Sequence, residues 1–97
     1  MSYLTEEKKV ATISLKKIDF DTPPEEARGI NREILDFFEK NPDGEVKLEF
    51  GGYARLSQNF ADALFEDNRL KKHLAKISTW GIHVFDEQIL SSALQKG

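Results

Sequence analysis

Apolar and polar residues alternate from Lys9 to Leu15 (KVATISL), placing Ala11, Ile13 and Leu15 on one side and Thr12 and Ser14 on the other. Period-two alternation predicts a half-buried strand. Ile18 and Phe20 either prolong it after a kink or form a short second strand. The period then changes. Ala27, Ile30, Ile34, Phe37 and Phe38 recur at the spacing of one helix face. Thr22-Pro23-Pro24-Glu25 supplies the helix start, with Thr22 as cap, Pro23 in the first turn and Glu25 closing a capping box. Asn41-Pro42-Asp43-Gly44 ends the helix and turns the chain. From Glu45 to Phe50 alternation returns, with Val46, Leu48 and Phe50 inward and Glu45, Lys47 and Glu49 outward. This is a strand with one polar face or a strand near a sheet edge.

Gly51-Gly52 interrupts the pattern, and a loop from Tyr53 to Leu56 leads to a second helix starting near Ser57 to Asn59 and burying Phe60, Ala61, Leu64 and Phe65. Leu74 to Thr79 (LAKIST) reads as a third strand, and Phe85, Ile89, Leu90, Ala93 and Leu94 make a C-terminal amphipathic helix. The order is strand, helix, strand, helix, strand, helix. Right-handed crossovers then give an α/β fold in a single domain over residues 1–97. Its sheet should have about four strands, mixed with a parallel core, and about three helices should pack it.

Composition narrows the function. The formal net charge is −3, which argues against a general nucleic-acid binder, since such a protein needs a basic surface to displace counterions. There is no cysteine, so disulfides, thiolate metal sites and cysteine nucleophiles are excluded. No apolar run approaches the ~20 residues of a membrane span, and MSYLTEEKKV has no signal-peptide core. A soluble cytoplasmic chain with no membrane contact and no cofactor is expected.

Catalytic signatures are sparse. His73 lies among Arg69, Lys71, Lys72 and Lys76, and His83 follows Trp80-Gly81-Ile82. They are not at metal-ligand spacing; a solvated His73 and a partly packed His83 are expected. The carboxylate pairs Asp19 and Asp21, Glu25 and Glu26, and Asp86 and Glu87 mostly fall at predicted helix starts. Capping and the helix dipole account for acids there, and none is expected to be buried. Gly51-Gly52 stands between strand and helix, yet neither phosphate-loop spacing is present. Ser57-Gln58-Asn59 is more informative. It falls at the carboxyl end of a strand and the amino end of a helix, where open α/β sheets bind ligands and partners. Capping by Ser57 or Asn59, with Asp62 favouring the dipole, is its structural role.

The stretch VKLEFGGYARLSQNFADALF resembles the hallmark of the STAS-like family, the sulphate transporter and anti-anti-sigma factor domains. The family pattern is a strand ending in Leu-Asp-Phe, a small-residue turn, and Ile-Ser-x-Ser-Phe-Ala-Asp-Glu-Leu opening a helix. Leu48-Glu49-Phe50 matches the first part and Leu56 to Leu64 the second. Asn59 stands where the second Ser is usual, and Ala63 where Glu is usual. In anti-anti-sigma relatives a serine at this helix start is phosphorylated by a partner ATPase of the histidine-kinase-like fold. The resemblance therefore implies a non-enzymatic, regulatory protein-interaction module from a bacterium or phage. It would dock such a partner through Tyr53, Arg55, Ser57, Gln58, Asn59 and Asp62. Asn59 cannot accept phosphate, so Ser57 is the remaining candidate phosphoacceptor. The alternative is a small-ligand, nucleotide or phosphate sensor with Gly51, Gly52 and Ser57 as an anion site.

Overall fold

The computed structural model describes residues 4–7, 9–51 and 54–95. Four strands form one sheet in sequence order: β1 (Leu4–Glu7), β2 (Val10–Ser14), β3 (Glu45–Glu49) and β4 (Ile77–Trp80). β1 runs antiparallel to β2, whereas β2, β3 and β4 are mutually parallel. Three α-helices, α1 (Pro24–Lys40), α2 (Gln58–Leu64) and α3 (Val84–Gln95), and a 3₁₀ helix at Asn68–Lys76 complete the architecture.

Register divides the sheet cleanly. Ala11, Val46 and Ile77 lie side by side, as do Ile13 and Leu48, and this face meets the helices. Thr12, Ser14, Lys47, Glu49, Ser78 and Trp80 occupy the other face, half-buried or exposed. Parallel sheets are normally covered on both faces; here the second face is polar, and the Lys47 ammonium sits 5.1 Å from the centre of the Trp80 ring. The core is a single cluster from β2, β3, α1, α2 and α3, with Phe38 and Phe60 its largest fully buried side chains.

Several expectations need correction. The additional strand is β1, at the N-terminal edge, and not Ile18 to Phe20. Ile18 is buried, but its carbonyl accepts from the Arg55 amide outside the sheet, and Phe20 is exposed. β3 is central. Leu74 to Lys76 belong to the 3₁₀ helix, so β4 begins only at Ile77. No side chain caps α1: its N-cap is Pro23 and not Thr22, so Pro24 opens the helix, a proline offers no side-chain acceptor, and the Thr22 hydroxyl instead accepts from the Asp19 amide at 2.9 Å. Phe85 is 71% exposed; the inward positions of α3 are Asp86, Leu90 and Ala93.

Gly81 closes β4. Its φ is +72°, and a Cβ there would overlap the Phe50 carbonyl oxygen. The left-handed backbone alone costs a non-glycine residue about 1–2 kcal/mol. Gly81→Ala is thus expected to lose at least that much stability in urea denaturation. A loss below ~0.5 kcal/mol, the size of a neutral surface change, would show that the turn relaxes freely.

Candidate functional site

The carboxyl ends of the parallel strands carry three loops: 15–23 after β2, 50–57 after β3 and 81–83 after β4. Backbone hydrogen bonds tie them together. The Phe50 amide donates to the Trp80 carbonyl at 2.8 Å, and the Arg55 amide donates to the Ile18 carbonyl at 3.1 Å. Ala54 and Leu56 are buried, which seats the loop on the core.

The residue that fixes this end is Asp86, 1% exposed in the first turn of α3. One carboxylate oxygen, Oδ2, accepts from the Leu56 amide at 2.9 Å and from Arg55 Nε at 3.2 Å. The other, Oδ1, accepts from Arg55 Nη2 at 3.3 Å. A fork on a carboxylate is the geometry guanidinium groups favour. The face of the same guanidinium lies 4.6 Å from the centre of the Phe20 ring. One buried acid therefore joins the start of α3, the loop before α2 and the loop after β2. Asp86 was expected to be a solvated helix-start acid; it is buried because it stands four residues before Leu90, on the inward stripe of α3.

Ser57 is the N-cap of α2, its hydroxyl accepting from the Phe60 amide at 3.1 Å. Asn59 is one residue inside the helix and exposed. Gln58 Nε2 donates to Asp62 Oδ1 at 2.8 Å, an i,i+4 pair along the helix surface. Gly52 and Tyr53 lie outside the described residues. The structure thus brings Arg55, Ser57, Gln58, Asn59 and Asp62 to one loop and helix start, but it gives Arg55 an internal partner. The anion alternative meets a specific obstacle. The amides of Ala54, Arg55, Leu56 and Phe60 donate to Gly51, Ile18, Asp86 and Ser57 respectively, so none of these four is available to a ligand.

Sequence reasoning also missed the apolar groups at this end. Phe20, Trp80, Val84 and Phe85 are the exposed large hydrophobic residues of the described chain. Phe20 is in the loop after β2, Trp80 ends β4, and Val84 and Phe85 open α3. The two histidines exchange their expected roles. His73 is half-buried and stacks on Phe38, ring centroids 4.3 Å apart, while His83 is exposed and accepts the Phe85 amide at Nδ1. No helix among the described residues is long and apolar enough to cross a membrane. Comparison of the chain with protein-family models, curated proteins and solved structures finds no match.

Proposed function

We propose that the chain is a STAS-like, non-enzymatic interaction module that docks a protein partner through the loop and helix start at Tyr53 to Asp62. The observation that carries this reading is the placement of four exposed large apolar residues, Phe20, Trp80, Val84 and Phe85, in segments at the carboxyl ends of the parallel strands, where Ser57 and Asn59 also lie. Exposed large apolar side chains grouped on one part of a surface mark interaction sites. Asp86 supports the reading by anchoring the Leu56 amide and the Arg55 side chain, which reduces the entropy those residues lose on association. The resemblance of Leu48 to Phe65 makes an ATPase of the histidine-kinase-like fold the favoured partner class.

Docking of this kind is constitutive or controlled through the partner. The usual phosphoacceptor position holds Asn59, and the Ser57 hydroxyl already serves as the cap of α2. Asn59→Asp introduces charge at an exposed position in the first turn of a helix. It is expected to keep or slightly raise stability, by up to ~1 kcal/mol, because an anion near a helix amino terminus is favoured. The same variant is expected to lose the partner that wild type captures from its native host, identified by mass spectrometry as an ATPase of that fold. Capture that survives both Asn59→Asp and Phe85→Asp, with melting unchanged, would place docking elsewhere. Phosphate on Ser57 in native material, with binding that depends on it, would overturn the constitutive mode.

A further inference from the structure

A second feature lies away from this end. A groove of ≈410 Å³ separates α1 from the segment that links α2 to the 3₁₀ helix. That volume falls within the ~300–1,000 Å³ of small-molecule sites. Arg28, Arg32, Arg69, Glu66 and Asp67 line it, three cations against two anions, in a chain whose net charge is −3. None of its lining residues belongs to the docking loop or to α2.

The arginines are held in different ways. Arg28 donates from Nε to Glu66 at 2.9 Å. Arg69 uses Nε and Nη2 on Asp67, at 3.1 and 2.8 Å, which leaves its Nη1 unused. The Arg69 side chain and amide together hold the Asp67 carboxyl down to about 2, so Asp67 is ionised over the whole neutral range. Arg32, one turn after Arg28 on the same face of α1, has no carboxylate partner among the described residues. Surface ion pairs of this exposure contribute little to stability. Their consequence here is orientation: two guanidinium groups stand pre-positioned beside an unpaired third, and guanidinium donors match tetrahedral oxyanions.

The groove continues. A neighbouring cavity of ≈270 Å³ shares Leu35 and Arg69 with it and is lined further by Phe38, Glu39, Lys72 and His73. The two rings are stacked almost parallel, 6° apart. Burial lowers the His73 pKa, and Lys76 and Lys72 lower it further, which favours the neutral ring. A cationic end thus adjoins a stretch formed by Leu35 and the His73 ring stacked on Phe38, with Glu39 and Lys72 also in its lining. We propose that this groove binds a small phosphorylated molecule carrying a flat ring, the phosphate on Arg28, Arg32 and Arg69 and the ring towards Leu35 and His73.

Phenyl phosphate and inorganic phosphate are the probes, titrated into the isotope-labelled full chain and followed by NMR. Phenyl phosphate is expected to shift the signals of Arg32, Leu35, Arg69 and His73. Inorganic phosphate should shift only the arginine end and bind about tenfold more weakly, the loss of ~1.4 kcal/mol of ring contact. Arg32→Gln should weaken phenyl phosphate about tenfold or more with an unchanged melting temperature, since Arg32 is exposed and makes no ion pair. Absence of shifts at millimolar phenyl phosphate, or undiminished affinity in Arg32→Gln, would overturn the site. Equal affinity for the two probes would overturn the ring-bearing class of ligand. Failure of either kind leaves the docking module untouched, because the two surfaces share no residue.

Discussion

Phe60→Ala should be among the most damaging single substitutions in this chain, at a cost of about 3–5 kcal/mol. Phe60 is fully buried, and the two alanines of the same short helix, Ala61 and Ala63, are buried as well. Neither can grow to fill the space that a missing ring leaves. α2 has only seven residues, too short for intrinsic helix stability, so it persists through packing. Phe60 is therefore both a core side chain and the anchor of the helix start that the proposed docking loop leads into. For a domain of this size each kcal/mol shifts the melting temperature by ~4–8 °C. A drop of about 12 °C or more is expected by circular dichroism, and the total loss approaches the whole stability of a small domain. Phe60→Leu keeps most of the volume and should lose far less. A Phe60→Ala protein that melts within ~4 °C of wild type, less than 1 kcal/mol, would show that α2 does not depend on this ring.

The same contrast explains what could be read from the chain before its structure. α1, β3 and α2 were legible because each carries an unbroken apolar period: Ala27, Ile30, Ile34, Phe37 and Phe38 are all buried, as are Val46 and Leu48, and Phe60, Ala61 and Leu64. β1 was not legible, because four residues reading LTEE carry no alternation and owe their strand to pairing with β2. The 3₁₀ helix hid inside a basic run in which Leu70 is the buried residue. The two buried polar residues among those described had a detectable signal that propensity alone does not weigh. Asn31 falls on the α1 stripe between Ala27 and Ile34, and Asp86 precedes Leu90 and Ala93 on the α3 stripe. A polar residue at an apolar position of a helix face must have a hydrogen-bond partner. Asn31 meets that requirement by donating to the Leu64 carbonyl at 2.6 Å, and so ties α1 to the end of α2. What no spacing argument supplies is the identity of the partner. Arg55 was legible as a loop cation, but its pairing with Asp86 spans thirty-one positions and is set by the tertiary fold.

Asp86→Ala carries the second large expected effect, about 2–4 kcal/mol, because it removes an acceptor from a buried donor. The Leu56 amide would lose its only recorded partner inside the core, and a buried unsatisfied N–H costs ~1–3 kcal/mol. The charge-assisted fork to Arg55 is lost as well, but that side chain is 36% exposed and regains water. The 3–5 kcal/mol typical of breaking a fully buried ion pair is therefore an upper bound here. Asp86→Asn separates the two contributions. Its carbonyl can still accept from Leu56, while the charge that attracts Arg55 is gone, so its loss should be the smaller. A cycle with Arg55→Ala then isolates the coupling between the two side chains, expected within ~0.5–3 kcal/mol for residues in one network. The local consequence is as informative as the global one. Amide exchange at Leu56 should accelerate in Asp86→Ala by more than at Phe60, whose amide keeps its Ser57 cap. Uniform acceleration at both amides would mean that Asp86 supports the core as a whole. Selective acceleration at Leu56 would identify it as the clamp of the loop that presents the docking edge, and partner binding should then weaken in the same variant by more than its melting shift accounts for.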